Sequence, residues 1–483
     1  MTRNSLNEAR TKIVATVGPA CEDEATLAEM IEHGVDIFRI NAAHGTQADY
    51  ERMRSKIVRA GEMTGFHVGI LLDLAGPKIR LGKLFNEQPL DVDIGDHITF
   101  VRGDTPGNER EVTSNYTRLI DELSLGDRVM LADGMISMHV VEKLKDSVRC
   151  EIVVKGTIRS KQGINLPGTS LSVSSMRPED VDNALWAARN NIDFISLSFV
   201  RSAQDVLSLK NLLASMDASA LVIAKIEKRE ALEELEAIVD AADGVMVARG
   251  DLGVEIDVAD TPVAQKKIIR ICREKLKPVI VATQMLESMH HNRRPTRAEA
   301  SDVANAILDG ADACMLSGET AIGDFPVLAV ETMNRIMIRT EVLLKSQPVE
   351  SKTRFSSRVH PVTSAVTHNA ANIAEAIDAK LVVVVSHTGG TAWVKAKQRN
   401  YIPTLGVSDS DAVLRRMTLF WGIMPHHVEN LENPEKLIEK VTQWGVARGM
   451  LVPGDRVVYV TGTGVLVNTH NLLVVHEVPP IKS

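Results

Sequence analysis

The chain has 483 residues and a formal net charge of −8 at pH 7, with 44% hydrophobic and 24% charged residues. This length predicts several domains, and the balanced composition excludes a mainly disordered chain. The acidic balance argues against nucleic acid as a partner, because nucleic-acid-binding domains usually carry a basic patch.

No segment suggests a membrane or an export route. The chain has no run of about 18 apolar residues, and its first residues contain no apolar stretch of signal-peptide length. The four cysteines lie far apart and form neither a disulfide framework nor a zinc pattern. We therefore expect a cytoplasmic protein without a membrane partner.

The first two thirds of the chain alternate short apolar runs with helical patterns. Continuous apolar runs of this length are typical of parallel strands buried on both faces of a sheet. Eight such units predict a TIM barrel, with helices that include 24–33, 230–241 and 298–308. The predicted strands are 12–17, 35–40, 67–73, 193–199, 221–226, 244–248, 278–283 and 312–316.

The connection between the third and fourth strands is too long for one βα unit. Residues 81–168 are rich in strand and turn patterns and predict a small β-barrel or sandwich. A helix is expected near Pro178, with a serine before it as N-cap. Because the insertion enters at the C-terminal end of the barrel strands, where TIM-barrel active sites lie, we expect it to form a lid.

A second α/β pattern follows a polar stretch after residue 344. It has a predicted helix at 362–376 and predicted strands at 381–386, 402–407, 456–461 and 472–478. The expected fold class is α/β: a TIM (β/α)8 barrel with an inserted small β-barrel lid domain and a C-terminal α/β domain. The predicted limits are 1–80 with 169–344 for the barrel, 81–168 for the lid and 345–483 for the C-terminal domain.

Polar residues at the ends of the predicted barrel strands should meet at one mouth. Arg39 with Asn41, and Lys225 with Glu227, lie two residues apart and so share one side of a strand. Cations mixed with carboxylates favour a phosphate-bearing substrate and a divalent metal. The remaining strand-end candidates are Asp73, Arg249, Gly250, Asp251, Thr283, Gln284, Ser317, Gly318 and Glu319.

Glu227 and Asp251 are the best candidates for metal ligands. Two like charges about 4 Å apart repel by roughly 4 kcal/mol at an effective dielectric of about 20, so one protonates or a cation lies between them. Mg²⁺ is commonly held by one or two carboxylates and by substrate oxygens. An ordinary ion pair of Glu227 with Lys225 or Lys228 is the alternative on spacing alone.

Several short motifs have competing interpretations. The string 249–251 spells an adhesion tripeptide, but a glycine between a strand and a helix better fits close approach to an anion. Gly462-Thr463-Gly464 lacks the third glycine of a dinucleotide fingerprint, and no Walker A motif occurs. His290 and His291 could indicate a metal, but their charged surroundings favour a solvated or interface loop. The segment 386–391 fits a phosphate nest or a plain turn equally.

Long segments of the chain resemble pyruvate kinases. They include TKIVATVGPA, FRINAAHG, LLDLAGPKIRLG, SKQGINLPG, FISLSFVRS, AKIEKREALEELEAIVDAADGVMVARGDLGVEI, VIVATQMLESM, RRPTRAEASDVANAILDGAD and MLSGETAIGDFPVLAVETM. That family combines a TIM barrel, an inserted β lid and a C-terminal effector domain. The resemblance implies phosphoryl transfer from phosphoenolpyruvate to ADP, giving pyruvate and ATP, with Mg²⁺ (or Mn²⁺) and a homotetrameric assembly.

The resemblance also implies residue roles. Arg39 and Lys225 would hold the phosphoryl group, and Lys225 would offset charge in the transition state and on the enolate. Thr283 would lie on the face where the enolate is protonated. The other implied roles are Mg²⁺ ligation by Glu227 and Asp251, carboxylate binding by the amides of Arg249, Gly250 and Asp251, a proton relay through Ser317 and Glu319, and nucleotide binding by Asn41, His44, Arg80 and, from the lid, Lys161.

The chain departs from the family at its usual K⁺ site. Asn41-Ala42-Ala43-His44 stands where the family has Asn-x-Ser-His, and the string from Asp73 to Lys78 stands where it has Asp-Thr-Lys-Gly-Pro-Glu. The serine and threonine normally give oxygens to K⁺, and family members with lysine in place of the glutamate are typically independent of K⁺. We expect Lys78 to supply this charge and K⁺ not to be required.

The lid and the C-terminal domain bear on nucleotide binding and regulation. Gln162 replaces the usual lid lysine, so a nucleotide contact from Lys161 is an open question. A loop formed by Ser386, Thr388, Gly389, Gly390 and Thr391, with the cations Lys395, Lys397 and Arg399 after it, is a candidate site for a phosphosugar or AMP effector. The alternatives are a catalytically impaired relative with a regulatory or binding role, another Mg²⁺-dependent barrel enzyme acting on pyruvate-like acids, and an adhesion protein.

Overall fold

A computed structural model gives the fold and describes residues 9–106, 108–169, 172, 174–346, 360–429, 431, 433–461 and 472–480. The Gly462-Thr463-Gly464 string and most of the polar stretch after residue 344 lie outside these residues. Across the described part of the chain, no helix combines the length and apolarity needed to cross a membrane.

The barrel begins with three strands and two helices whose ends follow local rules. The Asp23 carboxylate accepts a hydrogen bond from Thr26 N at 2.9 Å and caps the first helix. The second helix ends at Gly65, whose φ of 70° is the left-handed conformation that glycine adopts without strain. These elements are β1 (Lys12–Thr16), α1 (Glu24–Glu32), β2 (Val35–Asn41), α2 (Gln47–Thr64) and β3 (Gly69–Asp73).

The insertion forms two small sheets with a hydrophobic core of their own, which includes Ile98, Phe100 and Met138. One sheet has six strands in the order β11-β7-β8-β9-β5-β6, and the other pairs β10 with β4. The elements are a 3₁₀ turn (Phe85–Glu87), β4 (Leu90–Val92), β5 (His97–Val101), β6 (Glu111–Val112), α3 (Leu119–Glu122), β7 (Arg128–Leu131), β8 (Ile136–Lys143), β9 (Ser147–Val154), β10 (Gly156–Ile158) and β11 (Ile164–Asn165).

The chain then completes a closed parallel barrel in the order β1-β16-β15-β14-β13-β12-β3-β2. The eight predicted strands are all present, which confirms the TIM barrel. The elements are α4 (Pro178–Arg189), β12 (Phe194–Leu197), α5 (Ala203–Ala214), β13 (Leu221–Ile226), α6 (Arg229–Glu233), α7 (Leu235–Ala241), β14 (Gly244–Ala248), α8 (Arg249–Glu255), α9 (Thr261–Glu274), β15 (Val279–Ala282), a 3₁₀ turn (Glu287–His290), α10 (Arg297–Asp309), β16 (Ala313–Leu316), α11 (Gly318–Ala321) and α12 (Pro326–Lys345).

Two local predictions in this region were wrong. The N-cap before Pro178 is Arg177 and not a serine; its backbone N–H donates to the Asp180 carboxylate at 3.0 Å, which satisfies a free amide at the helix start. The helix predicted over 230–241 is two helices that meet at Glu234, where the backbone leaves helical geometry.

The C-terminal domain is a five-stranded sheet in the order β19-β18-β17-β20-β21, parallel except for β21. The α/β class predicted for it is confirmed, whereas the three domain limits stay predictions. The edge strand β19 escaped the sequence analysis because its sequence, IMPHH, is short and polar and contains a proline. The elements are α13 (Pro361–Ala376), β17 (Leu381–Val385), α14 (Gly390–Lys397), β18 (Thr404–Ser408), α15 (Asp411–Met417), β19 (Ile423–His427), α16 (Pro434–Ala447), β20 (Arg456–Thr461) and β21 (Leu472–Glu477).

Four buried aspartates repeat one arrangement at the N-terminal end of the barrel. They lie at the start of alternate barrel strands, or one residue before it, and each accepts a hydrogen bond from a backbone N–H at the start of the preceding barrel strand. The pairs are Asp36 with Ile13 N (2.9 Å), Asp193 with Ile70 N (2.9 Å), Asp243 with Val222 N (2.9 Å) and Asp312 with Val279 N (2.8 Å).

The C-terminal domain supplies cations to two of these aspartates. Arg415 Nε lies 2.9 Å from Asp193 Oδ1, while Lys397 Nζ and Arg399 Nη2 lie 2.6 and 2.9 Å from the two Asp312 oxygens. Burial lowers the pKa of Lys397 to about 8, against the opposing effect of Asp312. Lys397 and Arg399 therefore bind the barrel, and the expectation that they bind an effector was wrong.

Asp312 offers a direct test of this contact. Its replacement by alanine leaves Lys397 and Arg399 buried without a counter-ion and should lower the free energy of unfolding by about 3–5 kcal/mol. Denaturant unfolding monitored by circular dichroism measures the change. Asp93→Ala is the control, because the Asp93 side chain is 82% exposed and its pairing with Lys155 should contribute little. An equal loss in both variants would contradict the proposed role of Asp312.

Candidate active site

Three charged side chains meet at the C-terminal mouth of the barrel. Arg39, at the end of β2, donates from Nε and Nη2 to Asp73 Oδ2 at 2.9 and 2.5 Å and from Nη1 to Thr16 Oγ1 at 3.0 Å. Lys225, on β13, lies with its Nζ 3.4 Å from Asp73 Oδ1. The carboxylate of Asp73, at the end of β3, is thus shared by the two cations predicted to hold the phosphoryl group.

This shared anion has an unusual electrostatic environment. Burial alone would raise the pKa of Asp73, but the Lys225 ammonium and the Arg39 guanidinium outweigh it and lower the pKa to about 2. Ser196 Oγ donates to Asp73 Oδ1 at 2.5 Å. For Lys225, burial acts to lower the pKa, yet the carboxylates of Asp73 and Glu227 raise it. Asp73 and Lys225 are therefore both charged at neutral pH.

Glu227 is a deeply buried acid of the mouth, with a side chain that is 1% exposed. Its Oε1 lies 2.8 Å from Lys225 Nζ, and its Oε2 accepts a hydrogen bond from Phe199 N at 2.7 Å. Burial raises the pKa of Glu227, the Lys225 charge lowers it, and the Asp251 carboxylate raises it again. The ion pair with Lys225 that the spacing suggested is present, and Asp251 adds a second negative charge that acts on Glu227.

The Glu227 and Asp251 pair fits a hard divalent cation. Both residues offer carboxylate oxygens, the donors that Mg²⁺ prefers. Burial is the main cause of the raised pKa of Glu227, and the Asp251 charge adds to it; a cation between the two carboxylates would relieve this repulsion. Asp251, in the first turn of α8, has a side chain that is 26% exposed and so can reach a bound substrate as well as a metal.

The loops after β14 and β15 hold each other in a fixed arrangement. Gly250 N donates to Thr283 Oγ1 at 2.8 Å, and Thr283 adopts a left-handed φ of 67°. Arg249 donates to Thr283 O at 2.7 Å and pairs with Asp302 at 2.5 Å. The Arg249 side chain is thus committed to positioning the Thr283 loop, which leaves its backbone amide, and not its guanidinium, for a substrate.

Glu319 ties the last two strand ends together. It is fully buried, and its two oxygens accept hydrogen bonds from Leu286 N at 3.0 Å and from Ser317 N at 2.7 Å. Ser317 is the residue directly before α11 and follows β16. The two residues predicted as a relay are therefore adjacent, with the glutamate oriented by backbone donors from two loops.

Lys78 lies between the lid and the barrel. Its Nζ is 3.7 Å from Asp251 Oδ1 and 3.8 Å from Asp133 Oδ1, which is on the lid turn between β7 and β8. A Cβ at Gly163 would come within 3.2 Å of Lys78 Cε, so glycine leaves the space that the lysine chain occupies. The ammonium therefore lies beside one of the two metal-ligand candidates.

The predicted nucleotide residues lie on the barrel rim and the lid stem. Asn41 Oδ1 accepts a hydrogen bond from Ala43 N at 3.1 Å, and His44 is exposed. Arg80 Nη1 donates to Lys161 O at 3.2 Å, and Lys161 itself is exposed with a left-handed φ of 65°. Gln162 hydrogen-bonds within the lid, to Arg159 N and Thr157 O. Of these two neighbours, Lys161 is therefore the one whose side chain faces solvent.

The loop predicted to bind an effector begins the helix α14. Gly389 N donates to Ser386 Oγ at 3.0 Å, and Gly389 has a left-handed φ of 88°. Lys395 is buried and donates to Asn400 Oδ1, and burial lowers its pKa to about 7. Lys395 is therefore unavailable to a ligand at this loop, as are Lys397 and Arg399.

The structure adds site residues that the sequence analysis did not assign a role. Ser196 binds Asp73, and Ser198 Oγ lies 2.8 Å from Lys225 Nζ. These serines are two residues apart at the end of β12, the same spacing that identified Arg39 with Asn41, so a signal was present. Asp302, which pairs with Arg249, carried no such signal in the sequence, because it lies on helix α10, far from Arg249 in the chain.

These observations define a class of protein: a barrel enzyme whose mouth positions cations and two metal-binding carboxylates for an anionic substrate. The family models for the pyruvate kinase barrel domain and the pyruvate kinase alpha/beta domain match residues 8–330 and 364–476. The chain is 38% identical to a pyruvate kinase of Geobacillus stearothermophilus over 97% of its length and 80% of the relative.

Other relatives agree over their whole length. The chain is 38% identical to a pyruvate kinase of Mycobacterium intracellulare, over 97% of this chain and 98% of that one. A solved pyruvate kinase from Cryptosporidium parvum superposes with a TM-score of 0.90 at 31% identity, covering 99% of this chain and 98% of the other. The chain belongs to the pyruvate kinase family, whose members are phosphotransferases that generally use Mg²⁺.

The acid stability of the protein tests the charge state of Asp73. Because the folded state binds this proton more weakly than the unfolded chain, its stabilisation is complete above a pH of about 4 and is lost toward pH 2. A pKa lowered from 3.8 to about 2 corresponds to about 2 kcal/mol. We expect Asp73→Asn to remove this part of the pH dependence of unfolding between pH 2 and 5. Asp378→Asn is the control, and an unchanged slope in Asp73→Asn would refute the assignment.

Proposed function

We propose that this protein transfers the phosphoryl group of phosphoenolpyruvate to ADP, giving pyruvate and ATP. The observation that carries the proposal is the convergence of Arg39 and Lys225 on one buried anion beside Glu227 and Asp251. A phosphoryl group that replaces part of the contact with Asp73 would meet two fixed cations. The family membership of the chain supplies the reaction class.

In this proposal the cations carry most of the catalysis. Phosphoryl transfer depends on positioned charge more than on covalent chemistry, and cations fixed before the reaction cost no reorganisation during it. Arg39 and Lys225 hold the phosphoryl group, and Lys225 also balances negative charge on the enolate. Glu227 and Asp251 hold Mg²⁺, which when bound neutralises charge on the transferring group and on the enolate oxygen.

The remaining side chains complete the substrate and nucleotide sites. The α8 amides at Arg249, Gly250 and Asp251 bind the substrate carboxylate. Thr283, whose Oγ1 accepts from Gly250 N until the substrate carboxylate takes that N–H, lies on the face where the enolate is protonated. We assign Ser317 and Glu319 to the proton relay, and Asn41, His44, Arg80 and Lys161 to the nucleotide.

We further propose that Lys78 replaces a bound K⁺. Ala43 and Leu74 offer no side-chain oxygen to a monovalent cation, and the Lys78 ammonium lies 3.7 Å from Asp251 Oδ1. A fixed ammonium at this position supplies the positive charge that a K⁺ ion would otherwise bring to the mouth.

Regulation and assembly follow the family in this proposal. The loop with Ser386, Thr388, Gly389, Gly390 and Thr391 binds a phosphosugar or AMP through its backbone N–H groups and hydroxyls, without the three cations that are buried after it. The enzyme is a cytoplasmic homotetramer, with domain limits near residues 80, 168 and 344.

A coupled assay with phosphoenolpyruvate, ADP and Mg²⁺ decides between this function and a catalytically impaired relative. We expect turnover by the unmodified chain and a fall in kcat of about 100- to 1,000-fold in Lys225→Met, because a preorganised cation is lost. Lys275→Met is the matched control, since Lys275 follows α9 on the outside of the barrel and pairs with Asp240. Absence of turnover in the unmodified protein would favour the impaired relative.

The K⁺ proposal is tested by replacing K⁺ with tetramethylammonium in the same assay. The unmodified enzyme should keep its rate, and Lys78→Glu should lose at least about tenfold, because it places a carboxylate beside Asp251. Lys83→Glu is the control: Lys83 is an exposed lid residue that pairs with Glu87. A large loss of activity of the unmodified enzyme without K⁺ would refute the proposal.

A further inference from the structure

The loop after β15 and the start of α11 carry a cluster of which the catalytic proposal uses only Glu319. Glu287, His290 and Glu319 each offer a ligand atom, and these atoms all lie within 4.8 Å of one another. Glu287 and His290 are three residues apart on a 3₁₀ turn, where side chains at this spacing eclipse each other. The geometry of the turn therefore aims both side chains at the same point, next to Glu319 at the start of α11.

His290 has an unsatisfied nitrogen in this cluster. Its Nε2 is buried and makes no hydrogen bond within the described part of the chain, and Glu287 Oε1, at 3.8 Å, is too distant for one. An unpaired buried nitrogen is costly, and a metal ion is a partner that imidazole commonly takes. His291 differs: its side chain is 80% exposed and pairs with Asp324 at 3.1 Å. Only His291 fits the solvated loop expected from the sequence.

The surroundings of His290 are built to admit its ring. A Cβ at Gly318 would lie 2.3 Å from both Cε1 and Nε2 of His290, so the imidazole occupies the space that any side chain at position 318 would take. On the other side, the Glu319 carboxylate is held by two backbone N–H donors. Donors of this kind fix the orientation of a metal ligand before the metal arrives.

We propose that Glu287, His290 and Glu319 form a second metal site, selective for a divalent transition metal of the zinc class. Imidazole nitrogen favours such ions, whereas Mg²⁺ prefers oxygen ligands. Ligands of a tetrahedral zinc at about 2.1 Å lie about 3.4 Å apart. His290 Nε2 and Glu287 Oε1, at 3.8 Å, are close to this separation, and the ligand atom of Glu319 lies within 4.8 Å of both residues' ligand atoms. Three protein ligands leave a fourth position for water.

The four cysteines do not compete for the metal in the folded protein. Cys21, Cys150, Cys272 and Cys314 are all buried free thiols. Burial raises their pKa values, to about 11 for Cys21 and to about 12 for the other three. Thiols that stay protonated are poor ligands, so zinc bound by the folded chain should have no sulfur neighbour.

Calorimetric titration of the full chain with Zn²⁺ tests the site. The buffer contains enough Mg²⁺ to saturate the catalytic carboxylates Glu227 and Asp251. We expect one Zn²⁺ per chain in the unmodified protein and in His291→Ala. Affinity should fall at least about tenfold in His290→Ala, in Glu287→Gln and in Gly318→Ala, whose new methyl group displaces the imidazole. Circular dichroism spectra identify any variant that fails to fold, and the remaining variants then decide.

X-ray absorption of the zinc-loaded protein gives a second readout that does not depend on activity. We expect nitrogen and oxygen neighbours at about 2.0–2.2 Å and none of the sulfur distance of about 2.3 Å. The proposal is overturned if no stoichiometric Zn²⁺ binds, if His290→Ala binds as tightly as the unmodified chain, if His291→Ala weakens binding equally, or if sulfur is found. Each result is independent of whether the chain turns over phosphoenolpyruvate.

Discussion

The buried anion of Asp73, shared by Arg39 and Lys225, is the interaction on which the barrel mouth depends. Two cations fixed side by side at the mouth would repel each other, and their burial would be costly without a counter-ion. Asp73 offsets both charges, and its low pKa keeps it ionised. The mouth can therefore keep two cations available for an anionic substrate, although the net charge of the whole chain is negative.

The opposite end of the barrel uses buried carboxylates for a different purpose. The aspartates at the starts of alternate strands each bind a backbone N–H of the neighbouring strand and so fix the register of the barrel at its base. Two of them also bind cations of the C-terminal domain. One barrel thus separates its roles along its axis: chemistry at the C-terminal ends of the strands, and domain attachment at the N-terminal ends.

Much of the fold and the site followed from short-range patterns. Buried parallel strands are continuous apolar runs, so all eight barrel strands were found, and the period of two along a strand placed Lys225 with Glu227. The short polar strand β19 was missed because its edge position, and not its composition, allows it to pair. Lys397 and Arg399 were misjudged because a cation near a loop has the same local sequence whether it faces a ligand or a buried aspartate.

By itself, the sequence determined the order of the domains and the strand ends that supply the mouth, because each depends on residues close together in the chain. Only the tertiary structure decided which charges are partners. Asp73 and Lys225, Arg249 and Asp302, and Lys397 and Asp312 are distant in sequence. These pairs form because the barrel closes and the C-terminal domain docks against it. Neither event can be inferred from the residues that are close to each partner in the chain.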